Sequence, residues 1–154
     1  TNNSASIIAE HVASLEAIGI SAVGDVISSS VAAALLVEPS ERVLVTGGPG
    51  IVEAVEASGA IAVVNDGTVD GRNGGFDAVL VGLHRDFDYQ RLAAAAAAIH
   101  SGARLVGTNS DSTYPTPTGT EPGGGCSLAA VATAGYHCPC TASHRAETLH
   151  ARTT

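Results

Sequence analysis

RVLVTGGPGIVEAVEASGAIAVV, residues 42 to 64, decides the fold class. Its first five residues are an apolar run bounded by turn formers, which reads as a buried strand. GGPG turns the chain, IVEAVEAS carries its apolar residues at helical spacing, and Gly59 can close that helix. AIAVV then gives a second apolar run, ending at Asn65-Asp66-Gly67. Strand, helix and strand in immediate succession form a β-α-β unit, and such a connection favours parallel pairing. Downstream the alternation continues: DGTVDGRNGG is a loop rich in turn formers, FDAVLVG a strand, DYQRLAAAAAAIHSG a long helix and ARLVG a further strand. Upstream, Ser28 to Ser30 can cap the helix VAAALL, which Pro39 separates from the strand at Arg42. Ile7, Ile8, Val12, Leu15 and Ile18 recur at helical spacing, with Ser4 or Ser6 as the expected cap and Gly19 as the stop. TNSDSTYPTPTGTEPGGG is expected to be loop, SLAAVATAG a short helix, and YHCPCTASHRAETLHARTT has no clear period. The expected fold is α/β, a mostly parallel sheet with flanking helices.

Bulk properties narrow the function. The 154 residues suit one ordinary domain with a real core, and 45% are hydrophobic but only 3% aromatic, with no Met or Trp. Ala, Val, Leu and Ile must therefore do the packing. A net charge of −8 with only seven Lys plus Arg argues against a nucleic acid or an anionic membrane as partner, because both are bound through clustered cations. A small-molecule site is expected instead. Cys126, Cys138 and Cys140 are too few and too bunched for a disulfide framework, and no apolar run reaches bilayer length, so a cytoplasmic location is expected.

In open α/β sheets ligands sit beyond the carboxyl ends of the strands. TGGPG, GLHRDFDY and GTNSDSTYP should all lie there. The first invites a dinucleotide reading, with Asp66 roughly where a ribose-binding acid would stand, but the three-glycine fingerprint G-x-G-x-x-G is not met. The alternative is a tight βα turn.

GLHRDFDYQRLAAAAAAIHSGARLVGTNSDSTYPTPTGTEPGGGCSLAAV is more specific. It resembles the cap and cap-to-core return of the haloacid dehalogenase superfamily, in the NagD-like, phosphoglycolate and 4-nitrophenyl phosphatase subgroup (class IIA). The pattern there runs G-L-D-R-D-F-x-Y, an Ala-rich helix, G-A-x-hydrophobic, T-N-x-D-x-x-Y-P-T, then P-G-x-G. TNNS at residues 1 to 4 resembles the second motif of that family, SSSVAAALL its hinge and RVLVTGGPGIVEAVEASG its first cap strand and helix. The resemblance implies residues 1–20 as a core segment carrying the second motif, 21–115 as a C2-type cap, and 116–154 as the return to a Rossmann-like core with a divergent tail.

It also implies a phosphatase acting on phosphate monoesters through an aspartyl-phosphate, with Mg²⁺ as cofactor and a small phosphorylated metabolite as substrate. Thr1 and Asn2 would bind the transferring phosphoryl group, whose spread negative charge calls for fixed donors. Asn109, Asp111 and Tyr114 would face the leaving group; against this, Thr108 to Asp111 could simply turn the chain. Arg85 and Asp86 are expected to form an ion pair or a solvated turn, and His84 stands where the family has Asp. No D-x-D-G-T nucleophile motif, metal-binding acidic pair or Lys occurs in the 154 residues. TNNS is thus expected to be the stump of a longer protein, with a partial gene, a frame slip or a degenerate copy as possible causes. The isolated chain is expected to have negligible phosphatase activity. His137, Cys138, Cys140, His144 and His150 suggest zinc by residue type, but C-P-C is not the usual spacing and no second Cys pair exists, so no metal ligand is assigned. A dinucleotide-binding domain and a cap acting only as a binding or dimerisation module, a homodimer through the cap, are the competing readings.

Overall fold

A computed structural model describes residues 1–136. The elements in chain order are α1 (Ile8–Glu16), α2 (Ser29–Ala34), β1 (Arg42–Thr46), α3 (Pro49–Ala57), β2 (Ile61–Val64), β3 (Ala78–Val81), α4 (Tyr89–His100), β4 (Arg104–Gly107), β5 (Thr113–Thr116), β6 (Gly119–Pro122) and α5 (Gly124–Tyr136). Strands β1 to β4 form one sheet in the order β2-β1-β3-β4, every neighbouring pair parallel.

Side chains alternate along each strand, so each strand feeds both faces of the sheet. Val43, Val45, Ala78, Leu80 and Val106 meet Ala33 of α2 and Ile51 and Val55 of α3 on one face. Leu44, Val79 and Val81 meet Ala95, Ala98 and Ile99 of α4 and Val131 of α5 on the other. Burial on both faces is why the strands read as unbroken apolar runs. Each fully buried Val or Leu contributes about 1.5–3 kcal/mol relative to exposure. The Ala-rich α4 lets neighbours approach closely: a Cβ at Gly71 would lie 2.0 Å from the Ala94 carbonyl oxygen, so only glycine lets the β2–β3 connection rest on that helix. At the amino ends of the strands, Arg104 forks onto Glu41 (2.6 and 2.5 Å) and also donates to the Leu36 carbonyl (2.8 Å). That hydrogen bond pulls the Glu41 carboxyl below its ordinary range.

Three local expectations are corrected. Residues 113–122 form the antiparallel hairpin β5–β6 rather than loop, and α5 begins at Gly124, ahead of SLAAVATAG. Thr113, Tyr114 and Thr116 are strand formers whose preference outweighs the three prolines of residues 113–122, and Gly119 takes the positive φ of 138° that the tight turn needs. Neither Ser4 nor Ser6 caps α1. Its N-cap is Ile7, without a side-chain bond, and the Ile8 N–H donates to Glu53 Oε2 of α3 at 2.9 Å. Beyond these corrections, α1 buries none of its residues fully, and its apolar stripe is only half covered.

Candidate functional site

The sheet order reverses direction at β1: the chain leaves it for β2 on one side, while β3 and β4 lie on the other. The carboxyl ends of β1 and β3 therefore frame the crevice where α/β sheets take ligands. Here residues 4–6 of the chain occupy it. The fully buried Ser4 hydroxyl accepts from the Leu83 N–H (3.3 Å) and the Thr108 hydroxyl (3.1 Å), and the Ala5 carbonyl accepts from the Gly50 N–H (3.0 Å). A Cβ at Gly50 would fall 2.1 Å from the Ser6 carbonyl oxygen, and one at Gly48 2.6 Å from the Ala5 Cα. The glycines of TGGPG thus admit the chain's own backbone, which overturns the dinucleotide reading. Asp66 turns its carboxylate onto Thr68, accepting from its N–H and hydroxyl, and those two bonds hold its carboxyl low.

Filling the crevice with residues 4–6 sets Thr1 to Asn3 at the β4 side of this edge. The Ser29 N–H and hydroxyl bind the carbonyls of Thr1 (2.8 Å) and Asn2 (3.1 Å) respectively. Asn109 Nδ2 donates to the Asn2 carbonyl at 2.9 Å, and Asn2 Nδ2 donates to Asp111 Oδ2 at 3.0 Å. Asn109 Oδ1 accepts from the Asp111 N–H (3.1 Å). Asn2 is therefore in contact with both Asn109 and Asp111, more than a hundred residues along the chain. Thr1 stands beside them, exposed, its hydroxyl accepting from the Asn3 N–H at 3.3 Å. Tyr114 is not part of this cluster. It sits on β5 and donates its hydroxyl to Glu121 Oε2, its partner across the hairpin, at 2.5 Å, which raises its pKa.

Residues 84–88 form the neighbouring loop, and 89–91 open α4. His84 Nδ1 accepts from the Asp86 N–H at 3.2 Å, closing the turn as an aspartate would. Burial first, then the Arg91 charge, lowers the His84 pKa, which keeps the ring neutral and Nδ1 free to accept. Arg85 and Asp86 form no ion pair; the turn alternative holds, and Arg85 instead lies over the Tyr114 ring, 5.9 Å from its centre. Arg91 pairs with Asp88 at 2.6 Å. A cleft of about 990 Å³ opens between α3 and this loop, lined by Pro49, Val52, Glu56, Val64, Asp66 and Arg91 among others. It lies toward β2, across residues 4–6 from the Asn2–Asp111 contact. The convergent polar groups, rather than this cleft, mark the candidate site.

Ser4, the hub of this edge, and Ser29, which holds Thr1 and Asn2, stand in TNNS and SSSVAAALL, but nothing beside them in the sequence names their partners across the edge. Among the described residues, no three His, Cys, Asp or Glu side chains stand together as metal ligands. The His137–His150 cluster lies outside the described residues. No described helix is long and apolar enough to cross a membrane.

No family model matches the chain. It is 37% identical over 139 residues to the D-glycerol 3-phosphate phosphatase of Mycobacterium tuberculosis, covering 87% of this chain and 38% of that protein. It is 40% identical over 91 residues to the 5'-nucleotidase YutF of Bacillus subtilis, covering 59% of this chain and 32% of that one. The chain thus spans well under half the length of either relative. Among solved structures, it is similar to a hypothetical protein from Pyrococcus horikoshii OT3 with a TM-score of 0.78 and 33% identity, covering 87% of this chain and 53% of that one. The M. tuberculosis glycerol phosphate phosphatase in complex with calcium superposes with a TM-score of 0.77 at 37% identity over 87% of this chain and 40% of that chain. The same protein has also been solved in complex with magnesium.

Proposed function

This chain belongs to the NagD-like phosphatases of the haloacid dehalogenase superfamily, and on that premise we propose that its amino-terminal edge is the phosphoryl-binding part of a phosphate monoester hydrolase. One observation carries the reading: Asn2, Asn109 and Asp111 touch one another at the carboxyl edge of the sheet, although a hundred residues separate the first from the others. In this proposal the Thr1 hydroxyl and the Asn2 amide hold the phosphoryl oxygens. Ser29 and Asn109 hold the backbone of Thr1 and Asn2 through their carbonyls, so both side chains start from a fixed base from which donors can meet developing negative charge. Asn109, Asp111 and Tyr114 face the leaving group. Residues 1–20 act as a core segment, 21–115 as a cap over the site and 116–154 as the return.

The substrate class is a small phosphorylated metabolite, in keeping with relatives named for glycerol phosphate and nucleotides. A nucleophile is not assigned, because no D-x-D-G-T motif lies within the 154 residues, and no metal-dependent step is drawn from these residues. The chain alone is therefore expected to bind a phosphate ester without turning it over. Calorimetric titration of the 154-residue chain with glycerol 3-phosphate should show saturable binding, weakened about tenfold or more in Asn2→Ala, as suits a hydrogen bond to a charged group. Binding unaffected by that substitution would remove the proposal. A homodimer through the cap is a second part of it, favoured by edge strand β2, whose Ile61 and Val64 are both half exposed; sedimentation equilibrium reads it directly.

A further inference from the structure

Asp111 is held from several sides, and what it is held against is a donor. Its N–H is bound by Asn109 Oδ1 (3.1 Å) and its carbonyl oxygen by the Gly125 N–H (2.9 Å). The glycines of PGGG enclose the same peptide: a Cβ at Gly123 would lie 2.3 Å from the Asp111 carbonyl oxygen and one at Gly125 2.7 Å from it. Backbone fixed in this way presents the carboxylate to Asn2 Nδ2 at 3.0 Å. We infer that Asp111 is an internal anion, occupying the second-motif donor in place of a phosphoryl oxygen and competing with phosphate for it. This rests on the phosphate-binding reading above and adds a specificity-determining residue to it.

The physical reason is charge. Any oxyanion that reaches Asn2 Nδ2 must sit beside the Asp111 carboxylate, or that carboxylate must swing away and give up its bond. Like charges at hydrogen-bonding range oppose each other even in water. A neutral side chain of the same shape removes this opposition and keeps an oxygen acceptor for Asn2. Asp111 therefore weakens the hold on free phosphate, so that an ester gains its affinity from its alcohol portion as well.

The test uses the full 154-residue chain, isotopically labelled, with inorganic phosphate as probe. Two quantities are followed: phosphate affinity, and the side-chain NH₂ resonances of Asn2. Asp111→Asn should bind phosphate about tenfold more tightly than wild type. In wild type, phosphate should move the Asn2 NH₂ resonances away from their carboxylate-bonded positions. Should wild type bind phosphate while Asp111→Asn binds it no more tightly, the competition is refuted and the phosphate site survives. Should neither protein bind phosphate at millimolar concentration, the phosphate site itself is refuted, and the competition with it. Binding seen only in Asp111→Asn supports both.

Discussion

His84 shows how one side chain can replace another by geometry rather than charge. The G-L-D-R-D-F pattern has Asp at this position, and the imidazole Nδ1 does a carboxylate's work by accepting from the N–H two residues on. That role requires the neutral ring, and burial with Arg91 nearby favours it. Because the folded pKa lies below the ordinary 6.5, the unfolded chain binds the proton more readily. This contribution to stability is complete above about pH 6.5 and is lost as pH falls through the lower folded value. Thermal unfolding followed by circular dichroism should accordingly show wild type losing more midpoint temperature than His84→Asn between about pH 7.5 and 5, since Asn accepts without titrating. Equal losses in the two proteins would show that the ring is not held neutral.

Among the elements, α1 depends on its neighbours to an unusual degree. It has no cap of its own, because the Ser4 hydroxyl is committed to Leu83 and Thr108, and the missing acceptor comes from Glu53 one layer away. Glu53→Ala should cost about 1 kcal/mol of stability, the usual worth of an N-cap, read as a lower urea midpoint with an unchanged slope. Gln in its place should recover most of the loss, since its carbonyl can still accept. The hairpin teaches a related lesson. Thr-Tyr-Pro-Thr looks like loop when its prolines are weighed alone, whereas the observed pairing of Tyr114 with Glu121 depends on a partner strand that local sequence does not announce.

At the scale of the molecule, burial is unevenly shared. The centre of the sheet is wholly enclosed, from Val43 to Val45 and from Ala78 to Val81, whereas Ile18, Val23 and Ile27 of the α1–α2 connection are 71%, 73% and 69% exposed and Leu35 is 80% exposed. Local opening energies follow such differences. Native-state hydrogen exchange should therefore find the amides of residues 8–27 exchanging fastest among the regular elements and those of β1 and β3 slowest, near the global limit. Uniform protection would mean that the first forty residues unfold only with the sheet.

The sequence by itself determined the parallel α/β sheet and the positions of β1, α3, β2, β3, α4 and β4. Each of those signals is local: an apolar run covered on both faces, or an apolar repeat at helical spacing, is visible within a dozen residues. The TNNS and TNSD segments were likewise legible, as motifs. Only the tertiary structure decided that residues 4–6 fill the crevice meant for a ligand, that Glu53 caps α1, and that the Asp111 carboxylate rests on Asn2. These contacts join residues 45 to 109 positions apart. The propensities of neighbouring residues carry no record of such partners, and only the closure of the sheet with its two helical layers brings them within hydrogen-bonding reach.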